Sequence, residues 1–100
     1  MLIAIVDFAT TAADRPAALS HLDAEAVHVR AMTGNVAYRV YASREDDTRV
    51  TIVHEWADEA SFEGYLGSAA FASSGEVVRP MMTGAPVSRR FHAEPLATSA

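Results

Sequence analysis

His54 is the residue of this 100-residue chain whose chemistry is most readily placed. It alternates with Ile52 and Trp56 in a run of β-forming residues, so the three side chains project from one face of a strand. An imidazole titrates near neutrality, which makes His54 the default proton acceptor of a pocket on that face and Trp56 a wall of the same pocket. Asp58 onward reads as a helix that turns Phe62, Tyr65 and Ala69 toward the sheet. A buried tyrosine hydroxyl needs a hydrogen-bond partner, and His54 is the obvious one for Tyr65. The expected catalytic set is therefore His54 as base, Tyr65 orienting it or a developing oxyanion, and Trp56 beside them. A core histidine satisfied by a neighbour, with Trp56 filling the corner between sheet and helix, fits the same pattern.

Other polar groups carry weaker signals. His21, Glu25 and His28 share one helical face at a spacing that could hold a metal between turns. That face lies at the edge of the buried stripe and no second element offers a ligand, so the expectation is surface His–Glu pairing and no metal. Arg89-Arg90 reads as a solvated edge. Phe8, Tyr38, Tyr41 and Phe71 are of the type that packs a core or a subunit contact. The chain has no G-x-S-x-G elbow around Ser68, no glycine-rich phosphate loop and no H-E-x-x-H, which removes several enzyme classes.

Composition bounds the rest. Eight basic residues, all arginine, against 13 acidic ones give a net charge of −5, and half the residues are hydrophobic. That balance excludes a disordered polar chain and a basic nucleic-acid binder. With no cysteine there is no disulfide framework, thiolate nucleophile or Cys-ligated metal, in keeping with a reducing cytoplasm. Leu2-Ile3-Ala4-Ile5-Val6 is interrupted by Asp7 and reads as a strand, being too short to span a membrane and lacking the positive flank of a signal peptide. The length suits one domain, placed at residues 1–95, with residues 96–100 as a tail.

These residues must be positioned by a small set of elements. Residues 2–9 are apolar at both parities, the pattern of a strand covered on both faces. Asp14 and Pro16 start a helix that runs to about Met32 with Leu19, Leu22, Ala26 and Val29 as its buried stripe, and Gly34-Asn35 closes it. Residues 36–43 and 50–56 alternate as two strands around a charged hairpin loop at residues 44–48. A helix follows Asp58, with Gly64 and Gly67 as its weak points. Ser73-Ser74-Gly75-Glu76 looks like a capping box for a further short turn ending at Pro80, and residues 87–93 form the last strand. The order β-α-β-β-α-β is the ferredoxin-like α+β pattern, a four-stranded antiparallel sheet with helices on one face. The strands are apolar on the other face too, so that face predicts a partner, most simply a second copy in a homodimer.

Val53-His54-Glu55-Trp56-Ala57-Asp58-Glu59-Ala60-Ser61-Phe62, followed by Tyr65-Leu66-Gly67-Ser68-Ala69-Ala70-Phe71, resembles the antibiotic-biosynthesis monooxygenase domain family. Gly34-Asn35-Val36-Ala37-Tyr38 is similar to that family's turn into its second strand, and Pro86 to Phe91 to its closing strand. The resemblance implies a dimeric α+β barrel in which each subunit holds a pocket between sheet and helices. It also implies a cofactor-independent monooxygenase acting on a small aromatic or polyketide-type substrate, with Phe8, Tyr38, Phe62 and Phe71 contacting it. Where many members carry Glu and His, this chain has His54 and Tyr65, a pair that could exchange roles. The Asn, Trp and His of the haem-degrading branch fall here on Asp7 or Phe8, Tyr65 and about Gly75, so haem is not expected. In the quinone-forming branch Trp56 matches an active-site Trp, while a Tyr falls on Phe62 and an Asn on Ile52. A noncatalytic dimeric binding protein and a non-redox isomerase using the same pocket are the alternatives.

Overall fold

A computed structural model describes residues 1–99. The strands β1 (Leu2–Ala9), β2 (Asn35–Ala42), β3 (Arg49–Trp56) and β4 (Val87–His92) form one antiparallel sheet in the order β2-β3-β1-β4. The helices α1 (Arg15–Arg30), α2 (Glu59–Leu66) and α3 (Ala69–Val78), with a 3-10 turn at Arg79–Met81, complete a ferredoxin-like α+β fold. None of the helices among the described residues is long and apolar enough to cross a membrane.

Register decides which residues meet the helices. Ala4 is paired with His54 and Arg90, and Tyr38 with His54, so these four share a face with Leu2, Phe8, Val50, Ile52 and Trp56. The core forms there, against Leu22, Ala26 and Val29 of α1, Phe62 and Tyr65 of α2 and Val78 of α3. The opposite face carries Ile3, Ile5, Val53 and Phe91 among the ion pairs Arg89–Asp7 (3.7 Å) and Arg39–Glu55 (3.8 Å). The apolar residues at both parities of β1 thus have two destinations, a helix-covered core and a face with no helix over it.

The helical half differs from the sequence expectation. The expected second helix is two helices: Gly67 caps the end of α2, and Ser68 starts α3 by accepting from Phe71 N–H at 3.1 Å. The capping box at Ser73–Glu76 does not form, because those residues lie inside α3, whose cap Ser68 already supplies. At α1, Asp14 makes no side-chain cap; Thr11 Oγ1 accepts from its backbone N–H instead, and Pro16 sits in the first turn as expected. α1 stops at Arg30, whose guanidinium donates to the Tyr38 carbonyl at 2.8 and 3.0 Å and so anchors the strand residue that the site needs. Arg15 clamps the β2–β3 hairpin in the same manner through the carbonyls of Ser43, Asp46 and Arg49.

Gly34 adopts φ +78°, and a Cβ there would overlap the side chain of Ser61 at the start of α2. Its carbonyl accepts from Ala57 N–H at 2.8 Å, so the turn into β2 is seated directly against the β3–α2 connection. Gly64 has neither constraint, since a Cβ on it meets open space. Gly34→Ala is expected to cost about 1–2 kcal/mol or more, and Gly64→Ala to stabilise α2 by about 0.5–1 kcal/mol. Urea unfolding of the two variants checks the opposite signs; a Gly34→Ala variant as stable as the parent, or a destabilised Gly64→Ala, would overturn the assignment of the two glycines.

Candidate active site

A cavity of about 450 Å³ lies between the sheet and the three helices. Its apolar wall comes from Val6 and Phe8 of β1, Leu22 of α1, Phe62 of α2 and Phe71 and Val78 of α3. At the sheet end stand His54, Tyr38 and Tyr65, and at the rim Glu76, Arg79, Ser88 and Arg90. Of the residues expected to form a site, His54, Tyr65, Phe8, Tyr38, Phe62 and Phe71 all line this cavity. Trp56 does not.

Trp56 is fully buried behind His54, with its ring 5.2 Å from that of Tyr65 and 6.3 Å from that of Phe62. Strand periodicity correctly puts it on the face of His54, but α2 follows immediately and covers it, which leaves no surface for a ligand. Its indole Nε1–H donates to His54 Nδ1 at 2.8 Å. The hydrogen bond expected between Tyr65 and His54 is not formed: Trp56 satisfies the histidine, and the Tyr65 ring packs beside Tyr38 with centroids 6.4 Å apart. The His54 ring is enclosed edge-on by Tyr38 at 5.4 Å and Tyr65 at 5.5 Å, with Phe62 at 5.7 Å.

The electrostatics follow from this packing. Burial, and secondarily the Arg90 charge, disfavours the imidazolium and lowers the His54 pKa from 6.5 to about 4. The near-neutral histidine anticipated from the sequence is accordingly a neutral one at physiological pH. Burial likewise raises the pKa of both tyrosines, and the charge of Glu25 on α1 adds to the effect. His21 Nε2 and Glu25 Oε2 are buried and have no hydrogen-bond partner among the described residues, so the surface His–Glu pairing expected on α1 is absent. Among the described residues, no group of three or more His, Asp or Glu is arranged to hold a metal.

The two neighbouring arginines part company. Arg89 points to the helix-free face and pairs with Asp7, whereas Arg90 points to the cavity, its guanidinium carbon 5.0 Å above the centre of the Phe62 ring. Both lie on an exposed edge strand, as expected, and point to opposite faces because the parity of β4 is fixed by its register with Ala4. Glu76 and Arg79 reach the cavity because residues 73–78 continue the helix α3 in place of the expected turn.

A model of the family described as "Antibiotic biosynthesis monooxygenase" matches residues 1–74. The chain belongs to the antibiotic biosynthesis monooxygenase family. Its fold is shared at low sequence identity by solved structures. A Deinococcus radiodurans protein that carries the same family's name superposes with a TM-score of 0.90 at 14% identity, over 100% of this chain and 99% of that one. Rv0793 from Mycobacterium tuberculosis gives 0.87 at 18% identity, over 97% and 98%. SO0527 from Shewanella oneidensis gives 0.84 at 21%, over 92% and 89%. Among curated proteins none matches this chain in sequence. The family and the α+β fold of the single chain are thereby those that the sequence resemblance implied.

Proposed function

We propose that this family member is a cofactor-independent monooxygenase acting on a small aromatic or polyketide-type substrate bound between sheet and helices. The observation that carries the reading is the cavity itself: an aromatic-walled space of about 450 Å³, of the size that takes a small ligand, with a few polar groups at its sheet end and charged ones at its rim. Phe8, Phe62 and Phe71 offer faces and edges to a planar ring, while His54, Tyr38 and Tyr65 meet its oxygen substituents.

Ground-state oxygen is a triplet and reacts slowly with closed-shell molecules, so the substrate must itself become electron-rich. A phenol or enol does so by ionising and releasing its proton to solvent, and the Arg90 cation at the rim favours the anion. The anion passes an electron to oxygen, the radical pair joins as a peroxide on the ring carbon, and loss of water leaves a carbonyl. The peroxide takes up from solvent a proton equivalent to the one the phenol released, and its elimination removes the C–H hydrogen, so one oxygen atom ends in the new carbonyl and the other in water, with the substrate supplying all four electrons. The apolar wall keeps bulk water from intercepting the peroxide.

The same proposal includes a homodimer formed through the helix-free face, supported by Tyr41, Val87 and Phe91, which are exposed there. Light scattering on dilution should give twice the chain mass; a monomer at micromolar concentration defeats that part. For the reaction, hydroxylated aromatics that raise the melting temperature are to be tested for oxygen uptake in metal-chelated, flavin-free buffer. Stoichiometric uptake with quinone formation is expected. Tight binding with no uptake leaves the noncatalytic binding protein, a reading favoured by one feature, that His54 is neutral and its Nδ1 already engaged.

A further inference from the structure

The Trp56–His54 contact does more than satisfy two buried groups. An indole N–H can only donate, so the nitrogen it meets at 2.8 Å must present a lone pair. His54 Nδ1 is therefore unprotonated, and the neutral ring carries its proton on Nε2. Turning the ring over would set a C–H against the indole and orphan a buried donor. Protonating Nδ1 would set two N–H groups face to face. Trp56 and His54 stand two residues apart on one face of β3, so the backbone of a single strand holds the pair in place.

We propose that Trp56 is a positioning residue that locks His54 as the Nε2–H tautomer, so that the cavity offers a fixed hydrogen-bond donor, not a base, to an acceptor oxygen of its ligand. No described residue accepts from Nε2, and His54 lines the cavity, so the donor is left for whatever enters. The ligand class that fits is an oxyanion, a phenolate or enolate, held between this N–H and the Arg90 guanidinium; this half of the inference rests on the reading given under Proposed function. The groups that face the ring are Tyr38 from β2, Tyr65 from α2 and Arg90 from β4; Glu25 of α1 acts on the tyrosines, and Glu76 and Arg79 lie across the cavity. Arg90 is the charge that bears on His54 itself, and it opposes protonation of the ring.

Two-bond ¹H–¹⁵N spectra of the ligand-free protein read the tautomer directly. The expected result is a pure Nε2–H pattern, unchanged from about pH 8 to about pH 5, with a through-hydrogen-bond coupling between Trp56 Nε1 and His54 Nδ1. Trp56→Phe keeps an aromatic ring and removes the donor; its His54 signal should show mixed tautomers and titrate at a higher pH. A mixture of tautomers or an Nδ1–H ring in the wild-type protein overturns the lock, whether or not the variant folds. For the ligand half the probe is 4-nitrophenol, whose ionised form is coloured. Its affinity should rise about tenfold per pH unit up to its own pKa, and it should bind with the phenolate spectrum. Binding as the neutral phenol overturns the donor role. No binding at all overturns the ligand class, and with it the phenolic reading of function, while the tautomer result stands by itself.

Discussion

Between neutrality and pH 4 the protein should lose roughly 3 kcal/mol of folding stability through His54 alone. The group is 3% exposed and its pKa falls from 6.5 in the unfolded chain to about 4 in the fold. The folded state binds this proton more weakly than the unfolded state does. The stabilisation is therefore complete above about pH 6.5, declines as the pH drops below it, and is gone once the pH has passed through about 4. His54→Asn separates this contribution from that of the carboxylates, because an amide oxygen near the place of Nδ1 still accepts from Trp56 but does not titrate. Urea unfolding of both proteins across this range should show the wild type losing more stability than the variant. Parallel curves would mean that His54 titrates alike in both states and that its burial has no electrostatic consequence.

The second large effect is on turnover. If His54 donates to a developing oxyanion, His54→Asn removes Nε2–H and should lower kcat about 10²- to 10³-fold, with the fold retained. Tyr65→Phe removes only a hydroxyl of the cavity lining and should reduce the rate less. A general base would instead show a rate limb at the His54 pKa that disappears on substitution. Oxygen uptake against pH decides between them: the donor predicts a limb that follows the ionisation of the substrate. Full activity in His54→Asn would remove the residue from the reaction altogether.

The strand pattern made most of the sheet legible. Residues 2–9, 36–43, 50–56 and 87–93 were each expected as strands and lie within about a residue of the observed ends, because alternation is a property of adjacent residues. The helical half was harder. Ser68 and Ser73 are equally plausible caps by type, and the choice falls to Ser68 because Gly67 ends α2 one residue earlier. At the site, the sequence placed His54 and Tyr65 on facing surfaces, but not their partners. Tyr65 packs beside Tyr38 and His54 accepts from Trp56, choices made by register and by the approach of α2. Arg90 lay beyond sequence reasoning for the same cause, since β4 takes its parity from β1.

β4 has a consequence for how this protein can change. It lies at the edge of the sheet with β1 as its single neighbour, and all six of its residues are exposed. Along it, Ser88, Arg90 and His92 face the helices while Val87, Arg89 and Phe91 face away. One short ribbon thus writes two messages in alternate letters, and a point substitution edits either message without touching the other. An insertion or deletion of a single residue within it exchanges them, carrying Phe91 or Arg89 into the cavity and Arg90 out of it. Natural or designed diversification of this edge should therefore proceed by replacement at fixed length, with length changes confined to the turn before Val87.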